Sequence, residues 1–215
     1  MEGLAARLLA LYTPALTDVM DELGHAGQAL GAGIIPLARG MRAAGPAYVI
    51  EGQTARGGDR DRTSRELLAA LAAPPAGSVV VYAANDQTCA HFGELSATAL
   101  GLRGCVGVVL DGATRDTSFL LEAGFPTFCR GTNPLDAIGR WRVVAHGGSA
   151  RIEGLTVATG DWILADDDGI AVVPYAIAPD VVDRAEAVRD AENGFRDAIR
   201  AGVSPLEAYE RFGKL

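Results

Sequence analysis

Lysine is almost missing from this chain: of 19 basic residues only Lys214 is a lysine. Schiff-base chemistry needs an amine desolvated in a pocket, and a lysine next to the C-terminus is not expected to supply one. Cysteine is scarce as well. Cys89, Cys105 and Cys129 are odd in number, stand among apolar or small residues and form no Cys-x-x-Cys pair. They read as structural thiols of a reducing cytoplasm, not as zinc or redox ligands. No apolar run approaches the ~18 to 20 residues of a membrane span, and the opening Met1-Glu2-Gly3-Leu4 lacks a basic segment and a cleavage site. A cytoplasmic protein without membrane contact is expected. The net charge of −8 withholds the basic footprint that phosphate contacts require, so no nucleic-acid partner is expected. Also missing are Gly-x-x-x-x-Gly-Lys-Ser/Thr, Gly-x-Gly-x-x-Gly after a strand, His-Glu-x-x-His and Gly-x-Ser-x-Gly. ATP hydrolysis, nicotinamide redox, zinc proteolysis and serine hydrolysis thereby lose their usual support.

What is present centres on residues 104–116, Gly-Cys-Val-Gly-Val-Val-Leu-Asp-Gly-Ala-Thr-Arg-Asp. A short apolar run bounded by glycines reads as a buried strand whose C-terminal end delivers side chains to a cleft. Asp111, Arg115 and Asp116 supply two carboxylates and a guanidinium, the equipment for holding a divalent cation beside a bound carboxylate. An Asp-Gly turn followed by an aspartate helix cap explains the same residues equally well.

At 215 residues the chain is long enough for one sizeable core, and no linker or repeat divides it. Thr13-Pro14 reads as a cap and first turn of a helix carrying Leu16, Val19 and Met20 inward, with Asp18, Asp21 and Glu22 solvated. Leu30 to Ala47 reads as a wrapping loop and Tyr48-Val49-Ile50 as a strand. Arg60 and Arg62 fall in a polar loop ahead of a capping box at Thr63-x-x-Glu66, whose helix turns Leu67, Leu68 and Leu71 inward. Ser78 to Tyr82 is a second buried strand, followed by Asn85, Asp86 and Gln87. Gly93-Glu94-Leu95-Ser96 then opens a helix whose free N–H groups form an anion site. Beyond Asp116 come a short helix over Phe119 to Ala123, a strand over Phe125 to Cys129, and strands at Trp141–His146, Ala150–Val157, Asp161–Ala165 and Ile170–Pro174. Asp166-Asp167-Asp168-Gly169 reads as a hairpin turn, since it lacks the alternating ligands of a calcium loop. The reading is α/β, with a domain over 1–175 and a C-terminal helical extension over 176–215 that packs on a neighbouring subunit.

The combination of Asp21 to Gly24, Arg42 to Ala47, Gly93-Glu94-Leu95, Gly107 to Asp116, Gly124-Phe125-Pro126, Gly160-Asp161 and Asp166 to Pro174 resembles the RraA-like proteins. Their enzymatic branch comprises the 4-hydroxy-4-methyl-2-oxoglutarate and 4-carboxy-4-hydroxy-2-oxoadipate aldolases. The resemblance implies a β/β/α swivelling-domain fold with a central sheet and flanking helices, assembled as a trimer or dimer of trimers with sites between subunits. It implies that Arg115 binds a pyruvate-like carboxylate, that Asp116 holds Mg2+ or Mn2+ largely through water, and that Gly93, Glu94, Leu95 and Ser96 bind the oxo-acid end. Glu192, on the C-terminal helix of an adjacent subunit, is the third catalytic residue so implied, and Asp86 and Glu94 are candidates for base or supporting contacts. Asp111 is read as shaping the turn that aims Arg115 and Asp116. The implied activity is metal-dependent retro-aldol cleavage of a 4-hydroxy-2-oxo acid to pyruvate, with oxaloacetate decarboxylation beside it. The competing reading is a non-catalytic regulator of an RNA-degrading endonuclease, a type expected to lack the charged C-terminal helix.

Overall fold

The computed structural model describes residues 2–55, 57 and 59–212; Lys214 lies outside them. In chain order the elements are α1 (Glu2–Leu9), α2 (Thr13–Glu22), β1 (Ala29–Leu30), β2 (Ile35–Pro36), β3 (Ala43–Thr54), α3 (Arg60–Leu71), β4 (Val79–Ala83), β5 (Ala90–Phe92), α4 (Glu94–Leu102) and β6 (Gly107–Thr114). They continue with α5 (Thr117–Ala123), β7 (Thr127–Thr132), β8 (Trp141–His146), β9 (Ser149–Ile152), β10 (Leu155–Ala158), β11 (Trp162–Ala165), β12 (Ile170–Val173), α6 (Ala178–Arg200) and α7 (Pro205–Phe212).

Strand β3 organises the sheet. Its first residues, Ala43 to Pro46, pair antiparallel with β11, and Ala47 to Glu51 pair parallel with β4. The order across the sheet is β1-β12-β11-β3-β4-β6-β7-β2, with β5 added to β6 and β8 to β3. The expected loop over Leu30 to Ala47 therefore gives way to strand already at Ala43. Ala43 and Ala44 are both buried, and they serve opposite faces, Ala44 packing with the helices and Ala43 with Val109 and Phe128. In the parallel centre, Val79–Ala83 and Val108–Leu110 are buried throughout, as strands covered on both faces must be.

Helix α2 begins where the sequence predicts, but Thr13 is not its cap. Tyr12 occupies that position without a side-chain bond to the helix's first turn. Instead the Thr13 N–H and hydroxyl donate to the Asp166 carboxylate at 2.9 and 2.7 Å, so a residue of the β11–β12 hairpin satisfies the helix's exposed donors from 153 positions away. The hairpin reading of Asp166 to Gly169 holds, closed by the Asp166 N–H on the Gly169 carbonyl at 3.0 Å. Helix α3 starts three residues before the expected capping box, because the Asp59 side chain accepts the N–H groups of Asp61 and Arg62. Thr63 is buried inside it, and Leu68 is exposed. The expected strand over Ala150 to Val157 is a hairpin, β9 and β10, turned at Glu153 and Gly154, both at positive φ. Helices α1 and α7 and strands β1, β2 and β5 are additions to the sequence reading.

The apolar stripe of α6, with Val181, Val182, Ala185 and Val188 buried, packs on Leu8, Leu11 and Leu16 of the same chain. Arg7 reinforces it, contacting Asp183 and Glu186 at 2.6 Å each. The proximal half of the C-terminal helix thus belongs to this chain's own core, while its residues beyond Val188 are half-buried or exposed. None of the described helices is long and apolar enough to cross a membrane.

Candidate active site

Strand β6 runs past Asp111 to Thr114. Asp111 is not in a turn: its carboxylate meets the Arg130 guanidinium on β7 at 2.5 Å, and Arg130 also binds Glu153. Paired this way, the aspartate stays within the strand, next to a shift of register between Leu110 and Ala113. The direction changes only at Arg115 and Asp116. Thr114 anchors the strand end, its hydroxyl donating to the Phe92 carbonyl at 3.1 Å while the Arg115 N–H bonds the same oxygen at 3.0 Å.

Asp116 has left-handed backbone angles, φ 56° and ψ 37°, a conformation that costs a non-glycine residue on the order of 1 kcal/mol or more. It stands at the N-cap position of α5 yet makes no side-chain cap there. Its carboxylate turns the other way and accepts the N–H of Glu94 at 3.2 Å, with Arg115 Nε 3.6 Å off. The plain helix-cap reading of this aspartate is thereby set aside. Gly93 makes the approach feasible: a Cβ on its extended backbone would lie 2.5 Å from Asp116 Oδ2 and 3.1 Å from Arg115 Cγ.

Arg115 and Asp116 open into a cleft of about 280 Å3 bounded by α3, β5, the start of α4 and the segment between β7 and β8. Gly93, Leu95 and Ser96 line it, as do Leu67, Leu68 and Leu71. The polar end holds a residue absent from the sequence reading, Asp136, whose Oδ1 sits 3.6 Å from Arg115 Nη1 and whose Oδ2 sits 3.7 Å from Arg60. Its only local signal is the Asn133-Pro134 break before it, since the residue arrives through a bridge from Asp136 to Ala90. Arg60, read as part of a polar loop, is exposed but leans over this end.

Other expected site residues stand elsewhere. Glu94 opens α4, but its carboxylate faces along the helix to the Thr98 hydroxyl at 3.2 Å. Glu192 accepts a hydrogen bond from Tyr12 and lies 4.0 Å from Arg196; it does not line the cleft. Asp86 is buried and faces away from a base's role, accepting from Thr54, Thr88, Cys89 and His91. Burial alone would raise its pKa, but those hydrogen bonds outweigh it and hold the carboxyl at about 2. Burial also pushes the Cys89 thiol up to about 12, helped by Asp86, and drives the His91 pKa below its ordinary value.

For a hard divalent cation the cleft offers Asp116: one half-exposed carboxylate, cradled by Gly93 and not spent on capping α5. That donor set fits an ion that keeps most of its water, as magnesium does.

An α/β fold with a strand-end arginine and aspartate facing a helix N-terminus defines the class, and sequence comparison gives the family. The RraA-like pattern, described as Aldolase/RraA, matches residues 13–172; the chain belongs to that family. A protein of Halalkalibacterium halodurans named "Putative 4-hydroxy-4-methyl-2-oxoglutarate aldolase" is 29% identical over 201 residues, covering 92% of this chain and 89% of its own. Protein DlpA of Legionella pneumophila is 29% identical over 214 residues, 99% of this chain but 34% of its own length, so the chain spans about a third of that relative. Among solved structures, Streptomyces coelicolor RraAS2, described as an unusual member of the RNase ES inhibitor RraA protein family, superposes with a TM-score of 0.80 at 28% identity, covering 90% of this chain and 96% of its own.

Proposed function

We propose that this protein is a divalent-metal-dependent carbon–carbon lyase that cleaves a 4-hydroxy-2-oxo acid to pyruvate and a second oxo compound, with oxaloacetate decarboxylation as a side activity. The observation that carries the reading is the convergence of Arg115, Asp116 and the first turn of α4 on one cleft. The aldolase name of the Halalkalibacterium relative supports it.

Arg115 binds the substrate carboxylate through its planar guanidinium, held in the cleft by Asp136 on one side and Asp116 on the other. The first-turn N–H groups of α4 at Leu95 and Ser96 have no acceptor within the helix and face the same carboxylate and 2-oxo group. Asp116 would hold Mg2+ or Mn2+, which would supply Lewis-acid polarisation of the 2-oxo group when bound. Arg115 adds fixed positive charge where negative charge gathers during cleavage. The leucines of α3 give the other end of the cleft an apolar wall. Glu192 from an adjacent copy, in a trimer or dimer of trimers, is assigned to complete the cleft. The three free, buried thiols suit a cytoplasmic setting.

Release of pyruvate from a panel of 4-hydroxy-2-oxo acids, with magnesium and again with chelator, tests this. A regulatory reading, favoured by the likeness to RraAS2, predicts no metal-dependent release and inhibition of an RNA-degrading endonuclease instead.

A further inference from the structure

Beside the cleft, whose wall includes His91, three potential ligands meet that the proposed cleavage does not use. Asp86 Oδ2 lies 3.2 Å from His91 Nε2 and 3.3 Å from Cys89 Sγ, and the sulfur lies 3.7 Å from the same nitrogen. With Zn–S about 2.3 Å and Zn–N or Zn–O about 2.0–2.2 Å, the edges of a tetrahedral zinc site come to about 3.3–3.6 Å. The triangle therefore already has the size of one face of such a site.

We propose that Asp86, Cys89 and His91 bind a zinc-class transition-metal ion at a site separate from the Asp116 position, with a fourth ligand from solvent. The three side chains are 8%, 0% and 1% exposed, so this is no chance gathering of surface acids. The second carboxylate oxygen is fixed by the Thr54 and Thr88 hydroxyls at 3.0 and 2.8 Å, and the Thr88 N–H at 3.2 Å and hydroxyl at 3.0 Å also hold Oδ2, the oxygen that faces Cys89 and His91. Gly112 makes room for the ring: a Cβ there would stand 2.5 Å from His91 Nδ1. Trp141 packs edge-on against the imidazole at 5.1 Å.

Charge favours the ion. Asp86 is ionised, and among the described residues its one ion-pair partner is His91, which burial keeps neutral. That leaves a buried negative charge without a cation. Loading a divalent ion displaces one proton from the Cys89 thiol to solvent and leaves the site with two negative ligands and two positive charges, a net of zero. Thiolate and imidazole together select zinc or cobalt over magnesium. His91 Nδ1 lacks a partner in this structure, and that holds whether Nε2 donates to Asp86 or binds metal, so it favours neither state. The site would clip the β4–β5 loop to β5, two residues ahead of Gly93.

The test is reconstitution of the chelator-stripped full chain with Co2+ and with Zn2+ under reducing conditions. The expected result is one Zn2+ per chain and, with Co2+, a thiolate-to-cobalt charge-transfer band with tetrahedral visible bands. Asp116→Asn should retain both, excess Mg2+ should displace neither, and Cys89→Ser and His91→Ala should each weaken Zn2+ binding by more than about 100-fold. The wild-type spectrum decides the matter even where a variant fails to fold. Absence of a thiolate band, or stoichiometric zinc that persists unweakened in folded Cys89→Ser, would overturn the proposal.

Discussion

Asp116 reaches back across 22 positions to accept the backbone N–H of Glu94 at 3.2 Å. The carboxylate that would be taken for the cap of α5 instead closes the start of α4, and so sits in the same cleft as Arg115. This contact joins the bonds from Thr114 and Arg115 to the Phe92 carbonyl in tying two strand-to-helix junctions together.

The tie predicts how Asp116→Asn behaves. Asparagine tolerates the left-handed backbone and can still accept from Glu94, so the melting temperature should stay within about 2 °C of wild type. Loss of the negative charge should lower metal-dependent turnover by at least about 100-fold. Melting curves and steady-state rates on one preparation check both halves; a variant that retains most of its activity counts against the site.

Gly93→Ala tests the approach itself. The Gly93 backbone at φ −167° is open to any residue, so the fold should persist. The added methyl would lie 2.5 Å from Asp116 Oδ2 and must push the carboxylate aside. Displacement on the order of 1 Å costs about 100-fold in kcat/KM, with the far-ultraviolet circular dichroism unchanged.

How far the sequence foretold this arrangement differs from residue to residue. Arg115, Asp116 and Gly93 were legible because each lies at a strand end or helix start with a local signal. Asp136 was not, because its place beside Arg115 depends on where the chain between β7 and β8 crosses the sheet. Asp111-Gly112 carries the signal of a turn, yet Arg130 on the neighbouring strand neutralises the aspartate and the strand continues. Thr13 likewise has the chemistry of a cap, and Asp166, far along the chain, supplies the contact that settles its position. In each miss a long-range partner overrode a sound local preference. The spacing of Asp86, Cys89 and His91 matched no pattern in the chain, since a β-strand and its preceding loop bring them together.

Acid should loosen the β9–β10 hairpin. The hydrogen bond from Arg130, with a further one from the Gly31 N–H, holds the Glu153 carboxyl below its ordinary value of 4.5. A depressed carboxyl contributes stability that is present above about pH 4.5 and lost as pH falls through the folded value. Glu153→Gln should therefore cost about 1 kcal/mol at neutral pH and progressively less in acid, as measured by urea unfolding of both proteins across that range. A gap independent of pH would rule out this account of the pair.

Subunit complementation tests Glu192. It bonds Tyr12 of its own chain and lies outside the cleft lined by Arg115, so the assignment requires it to serve a neighbouring copy. Arg115→Ala and Glu192→Ala should each be inactive alone, and subunits mixed and reassembled should recover a measurable fraction of wild-type turnover. No recovery from a mixture shown to exchange subunits would remove Glu192 from the site.

The central claim is that Arg115 and Asp116 run metal-dependent cleavage of a 2-oxo acid. The most direct measurement is pyruvate release from 4-hydroxy-4-methyl-2-oxoglutarate and related 4-hydroxy-2-oxo acids by the wild-type chain, followed continuously as magnesium is added and then chelated. The account predicts release that begins with the metal, stops with the chelator and is absent in Arg115→Ala; no release from any of these acids, or release indifferent to the chelator, would contradict it.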